Sequence, residues 1–301
     1  MWQPEPGWQP LPGGLGPSTA GVWRATIRGR QVAVKRLVPP SDVHDEPGLD
    51  DPTHFAYWRR AAEVAASGLV ASTPGLHAPR TVSVDEDDEG ITLVTAWVDF
   101  QPVNGLFAAR SLGLFGGADL TEQPWFARDQ LRARLLRTEQ RGGWPTLQRT
   151  PVADVADHLW RHRLERLDEL DALPRVAQHG DPSRGNLVAV DGSAVVTVDW
   201  GSLGLGPVGG DLGYLALSAR EELGPLVDAY VGGLPPGLAT RDQVLAGARV
   251  TAVYTSLSRA EWALAKAAPG EGALAGKFSH PSVAPYLFAL QRLYPQLEAL
   301  L

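Results

Sequence analysis

The sequence contains no cysteine, which excludes disulfides, thiolate metal centres and thiol nucleophiles together. It has no run of 18 uncharged apolar residues, so no membrane-spanning helix is predicted. The N-terminus, MWQPEPGWQP, lacks the basic and apolar regions of a signal peptide. These absences point to a cytoplasmic protein with no membrane partner. Basic charge is not in excess. The net charge is -7, with 8 basic and 12 acidic residues up to Trp97 and 19 and 22 after it, so nothing predicts a nucleic-acid partner. A G-x-x-x-x-G-K-[ST] loop is missing, which excludes a P-loop nucleotidase. Ser183 has no G-x-S-x-G elbow around it, which argues against a serine hydrolase. No internal repeat is found.

What remains is an ordinary globular composition, 44% hydrophobic and 20% charged, over 301 residues, long enough for two lobes with separate cores. Met1–Pro17 reads as an irregular lead-in. Val22–Ile27 and Gln31–Val38 are strand-like runs joined by Arg28-Gly29-Arg30, with the flexible loop Gly13–Gly21 before them. Lys35 lies inside the second run, one of only three lysines in an arginine-rich chain. Thr53 is positioned to cap a helix over His54–Ser67, and Pro79–Val84 and Ile91–Val98 form another strand pair. Phe100–Thr121 is Gly-rich and gives no assignment. Helical patterns then cover Pro124–Gln140, Val152–Leu173, Asp211–Val231, Arg241–Lys266 and Pro281–Leu301. The predicted architecture is α+β: an N-lobe over 1–97 built on a small antiparallel sheet with one helix, and a mainly helical C-lobe over 98–301.

The chemistry concentrates in Gln178–Trp200. His179-Gly180-Asp181 opens a polar loop that ends at Asn186, too rich in Gly, Pro and Ser for helix or strand. Leu187–Val190 and Ala194–Val198 then read as a hairpin around Asp191-Gly192, with Asp199 where the second strand ends. A hairpin returns Asp199 to the neighbourhood of Asp181 and Asn186. Two carboxylates and an amide oxygen suit a hard cation such as Mg2+. A turn in which Asp181 and Asn186 satisfy local backbone groups explains those two residues, though not Asp199. Gly204–Gly209 matches G-x-G-x-x-G with Asp228 beyond it, but helices rather than strands follow, which disfavours a dinucleotide fold. Acidic runs at Asp42–Asp51 and Asp85–Glu89 read as solvated loops. Trp58, Trp160 and Trp262 fall on predicted helices and read as core.

HGDPSRGNL, VDWG, VAVKR and GGDLGYL together resemble the aminoglycoside phosphotransferase and choline kinase-like family, which shares the bilobal protein kinase-like fold. The resemblance runs from about Gly13 to about Leu217. It implies ATP, with GTP as an alternative nucleotide, and Mg2+ as cofactors. It further implies Lys35 on the nucleotide phosphates, Asp181 as the catalytic aspartate, and Asn186 and Asp199 as the metal ligands. Ser18 and Thr19 would meet phosphate, Trp97 and Val98 would present backbone groups to adenine, and Asp211 would be structural. Family members of this look carry a glutamate early in the first helix as the lysine's partner. Ala61 stands at that place here, leaving Glu63 as the nearest substitute. The acceptor would be a hydroxyl of a small molecule such as an amino sugar or aminoglycoside. Glu221, Glu222 and Glu261 are candidates to receive its amine, or are solvated helix charges. A pseudokinase that binds nucleotide without turnover is the alternative. A protein kinase is disfavoured by Gly180 before the aspartate and by the absence of D-F-G and A-P-E. The chain would be a monomer or a homodimer.

Overall fold

The computed structural model describes residues 2–12, 18–40, 48–147, 150, 152–267 and 284–301. Residues 13–17 of the first loop, 41–47 of the first acidic run and 281–283 at the start of the last expected helix lie outside these. The N-terminal part is a five-stranded antiparallel sheet. Its strands are β1 (Gln9–Pro10), β2 (Thr19–Ile27), β3 (Arg30–Leu37), β5 (Thr81–Asp87) and β6 (Gly90–Ala96), in the spatial order β1-β2-β3-β6-β5. Arg28 and Gly29, both at positive φ, make the two-residue turn that matches the twist of β2 and β3. Alternation along β3 sorts its side chains. Val32 and Val34 pack with Ala25 and Val94 on one face, while Leu37 on the other meets Trp58, Ala61, Ala62 and Ile91. Lys35 shares the Leu37 face. The lead-in is not idle, for Trp2, Trp8 and Trp23 stack at 5.3–6.3 Å and Trp2 lies 5.1 Å from the Arg36 guanidinium.

The expected helix over His54–Ser67 is shorter, α1 spanning Arg60–Ser67. Thr53 does not cap it. Its N–H and hydroxyl both donate to Asp51 at 2.8 Å, and the carbonyls of Pro52, His54 and Phe55 turn toward Arg60 instead of along a helix axis.

The C-terminal part contains α2 (Gly105–Gly116), α3 (Gln130–Gln140), α4 (Ala153–Arg161), α5 (Arg163–Asp171), α6 (Gly210–Ala216), α7 (Leu223–Val231) and α8 (Arg241–Ala267). Two short helices, Ala284–Arg292 and Tyr294–Glu298, complete it. Helix α2 lies in the Gly-rich segment that gave no assignment. Asn104 caps it, accepting from Leu106 N at 2.9 Å. Its glycines serve contact with α7: a Cβ on Gly113 would sit 2.1 Å from the Tyr230 carbonyl. The expected Pro124–Gln140 helix starts only at Gln130, after Ala127 bridges to Gly204. The expected Val152–Leu173 helix breaks at His162, and Asp211–Val231 is two helices rather than one. Trp262 is 48% exposed and so is not core, whereas Trp58 is buried.

Two small sheets carry the site. In the first, β8 (Leu187–Asp191) and β9 (Ala194–Thr197) form the expected hairpin, and β4 (Leu76–His77) pairs with β9 in parallel. In the second, β7 (Arg175–Gln178) pairs antiparallel with β10 (Gly204–Pro207). That antiparallel ladder accounts for the G-x-G-x-x-G match without a dinucleotide fold. Asp228 pairs with Arg241 on the surface.

Candidate active site

The loop between β7 and β8 is fixed from below by a buried carboxylate. Asp211, in the first turn of α6, accepts from His179 N at 2.7 Å and Gly180 N at 2.9 Å. Burial pushes its carboxyl up to about 7, against those two N–H groups and with help from the charge of Asp181. Gln130 Nε2 donates to Gly180 O at 3.0 Å from above.

His179 is fully buried and joins the two halves of the segment. Its Nε2 donates to Val198 O at 3.0 Å, and its Nδ1 accepts from Asp181 N at 3.3 Å. Those partners require the neutral ring, and burial lowers its pKa below the ordinary histidine value. Trp200 packs on the ring at 4.6 Å. Asn186 closes the frame: its Nδ2 donates to Asp181 O at 2.8 Å, and its carbonyl accepts from Val198 N at 2.9 Å. Asp181, Asn186 and Asp199 are thus tied by backbone bonds, as the hairpin predicts.

Asp199 sits just past β9 with φ of 63°, a conformation uncommon for a side-chain-bearing residue and concentrated at functional sites. Its Oδ1 accepts from Lys35 Nζ at 2.6 Å across 164 residues of sequence. The Lys35 charge holds the Asp199 carboxyl below the usual carboxylate range. The pair lies in an open cleft, with Asp199 42% and Lys35 17% exposed. Glu63 does not take up the lysine. Among the described residues, the ion pair of Lys35 is with Asp199.

The fixed end of α1 is organised differently, around Arg60. This arginine is fully buried and, among the described residues, makes no direct ion pair, with the Asp51 charge acting on it from further off. Its guanidinium donates to the carbonyls of Pro52, His54, Phe55, Trp125 and Gly201, at 2.5–2.9 Å. Burial lowers its pKa to about 10. The Gly201 bond ties α1 to the segment that carries Asp199, so α1 is anchored to the site without a lysine–glutamate pair.

Asp181 itself is a third exposed, and its Oδ1 accepts from Arg259 Nη2 of α8 at 3.1 Å. Sequence reasoning missed Arg259 and Arg60. Neither lies in a motif, and the only trace is that both are arginines on helices with apolar neighbours. Of the three acids that are candidates to receive an amine or are solvated charges, two are spent elsewhere. Glu261 is buried and accepts from Thr146 N and Leu147 N, at 3.1 and 2.9 Å. Glu221 accepts from Gly105 N and Arg220 N, at 3.1 and 3.0 Å. Glu222 is an exposed residue ahead of α7.

Lys35, Asp181, Asn186 and Asp199 therefore come together. Ser18 and Thr19 lie at the open end of the β2–β3 hairpin, Thr19 opposite Leu37, beside the part of the loop outside the described residues. Trp97 N–H is committed to Gln31 O at 3.2 Å, and its indole to Asp99 at 2.8 Å. The Trp97 amide is thus not free for a base, whereas Val98 N–H has no partner among the described residues.

No cluster of three or more His, Asp or Glu gathers among the described residues, so no metal cage made of protein alone is present. Among the described residues, Asp199 Oδ2 and Asn186 Oδ1 accept no hydrogen bond. A charged and a neutral oxygen donor fit Mg2+, which takes few protein ligands and completes its shell with water and phosphate.

A model of the phosphotransferase enzyme family matches residues 22–244. A search of curated protein sequences finds no match. Among solved structures, the fold is similar to that of a choline/ethanolamine kinase family protein from Mesorhizobium loti. The TM-score is 0.58 at 19% identity, covering 97% of this chain and 92% of that one. Choline kinase from Streptococcus pneumoniae gives 0.60 at 13%, over 96% and 93%. An amicoumacin kinase in complex with AMP-PNP, Ca2+ and Ami gives 0.57 at 12%, over 97% and 88%.

Proposed function

The chain belongs to the phosphotransferase enzyme family and is a small-molecule kinase, and we propose that it moves the γ-phosphoryl group of ATP to a hydroxyl with the help of Mg2+. The observation that carries this reading is the Lys35–Asp199 pair, which joins the sheet to the loop of Asp181 and Asn186. Nucleotide complexes among proteins of the same fold, with AMP-PNP and Ca2+ in one, support the cofactor class.

Lys35 supplies a compact positive charge for the nucleotide phosphates. Asn186 and Asp199 hold the cation, which when bound screens the charge of the β- and γ-phosphates. Asp181 keeps Oδ2 for the acceptor hydroxyl. It orients that hydroxyl in line and accepts its proton as the new O–P bond forms and the bond to the β-phosphate oxygen breaks, releasing ADP. His179 and Asp211 hold the loop and take no part in the chemistry. Ser18 and Thr19 contribute to the phosphate side and Val98 to the base side. Sheet region and helical region act as two lobes divided near Trp97. The cytoplasm is the compartment that fits ATP use.

Nothing observed favours a binding module without turnover. ATP consumption over an acceptor panel tests the reading, with Asp181→Asn as the blank. Turnover is expected to fall about 10²- to 10⁴-fold in that variant with folding retained. A rate near wild type would refute the assignment of Asp181.

A further inference from the structure

Resting on the phosphotransferase reading, we propose that the acceptor carries an anionic group, seated on Arg259 beside the hydroxyl that Asp181 receives. The guanidinium of Arg259 touches the reacting carboxylate at 3.1 Å and is 23% exposed. That contact is its only recorded hydrogen bond among the described residues, so its remaining N–H donors are available to a ligand. The Tyr214 ring, buried in α6, holds it from behind at 5.1 Å. A second guanidinium, that of Arg134, lies 5.8 Å from the same ring, and its buried Nε has no hydrogen-bond partner.

Arg259 is the cation seated on Asp181, while Glu261 is spent on the 146–147 backbone and Asp211 on the 179–180 backbone. An ammonium-bearing acceptor placed on Asp181 would meet Arg259 as a like charge. A carboxylate beside the hydroxyl would instead meet a planar fork of donors suited to it. Asp181 Oδ1 is engaged by Arg259 and Oδ2 is left for the hydroxyl, so one residue pair can bind both groups of a hydroxy acid. The acceptor class assigned is thus an anionic polyol or hydroxy acid, rather than an aminoglycoside or an amino alcohol.

The test uses acceptors that differ only in charge. One triplet is glycerate, glycerol and 3-aminopropane-1,2-diol; the other is gluconate, glucose and glucosamine. Glycerol 3-phosphate and glucose 6-phosphate form a further arm that separates carboxylate from phosphate as the anion. ATP consumption is read above the Asp181→Asn blank. The anionic member of each triplet is expected to exceed the ammonium member at least about 10-fold in kcat/KM. Arg259→Gln should cost the anionic member about 10- to 100-fold more than the neutral member, chiefly in KM. Arg259→Lys should restore part of that loss.

Equal or reversed preference overturns the proposal. So does a gain for ammonium acceptors in Arg259→Gln, which would mean that the guanidinium fills the seat of a cationic acceptor. If no acceptor turns over, thermal shifts by glycerate and gluconate in the presence of Mg·AMP-PNP decide. A stabilisation lost in Arg259→Gln supports the site, and none at all overturns it. Failure to bind Mg·ATP in any form would instead remove the phosphotransferase reading itself.

Discussion

Asp199 and Asp181 are two carboxylates of one short segment, each with one cationic partner among the described residues, and they differ in where that partner comes from. Asp199 meets Lys35 from the sheet at 2.6 Å, and Asp181 meets Arg259 from α8 at 3.1 Å. The first pair joins the sheet to the segment after β9, where on the proposed reading a nucleotide would need a compact charge facing a metal-binding oxygen. The second pair lies within the helical part, where the partner is free to vary with the acceptor. The two sides of a phosphoryl transfer thus carry different constraints. The cofactor side is held to chemistry common to the whole reaction class, and the acceptor side is held only to one substrate.

The largest effect should come from breaking the cofactor side. Asp199→Ala removes the charged oxygen donor proposed for the cation, so turnover is expected to fall about 10³-fold or more. Calorimetry should show nucleotide affinity that no longer depends on Mg2+. Unchanged Mg·ATP affinity would shift the metal role to other residues.

The next test separates the two sides by which Michaelis constant moves. Lys35→Met is expected to raise the KM for ATP about 10- to 100-fold, from loss of a charged contact to phosphate, and to leave the acceptor KM unchanged. Arg259→Gln moves the acceptor constant instead. If both variants moved both constants equally, the division of the site into two sides would fail.

How far each side was legible in the sequence follows from the same difference. Lys35, Asp181, Asn186 and Asp199 were readable because each lies in a short run whose local geometry is nearly decided by its own neighbours: a strand, a Gly/Pro loop and a hairpin. Arg259 was not, because α8 is a long helix of uniform pattern and nothing local marks which of its arginines faces Asp181. Glu221 and Glu261 were not readable for the same reason, as each accepts from a backbone N–H more than 100 residues away. In the fold, strand pairs and α8 matched expectation, since period and turn residues are local. Helix ends did not, where a side chain captured the backbone, as Arg60 does for residues 52–55.

Arg60 offers a test on stability rather than rate. Arg60→Leu removes the donor for five buried or half-buried carbonyls, and the cost is expected to be about 3 kcal/mol or more in urea unfolding. Because one of those carbonyls belongs to Gly201, the Asp199 side should loosen with it, seen as weaker Mg·ATP binding in the protein that remains folded. A neutral effect on both would mean that α1 is held to the site by packing alone.

The smallest effect tests the residue that links the two carboxylates. His179 holds Asp181 N with one nitrogen and Val198 O with the other, so it must stay neutral. Its pKa in the fold lies below its unfolded value of 6.5, so its contribution is present above about pH 6.5 and is lost as pH falls through the lowered value. Asp211 has the opposite sign. Its carboxyl rises from 3.8 to about 7 on folding, so its contribution is complete below 3.8 and is lost as pH rises through 7. Between pH 4 and 6.5 the two oppose each other, and the wild-type stability curve should be flatter than either alone. His179→Gln removes one of them while keeping a donor and an acceptor. Its urea midpoint should therefore rise as pH falls from 7 toward 5, relative to wild type. A parallel pair of curves would show that protonation of His179 is not what acid does to this loop, and that the two carboxylates are tied through Asn186 instead.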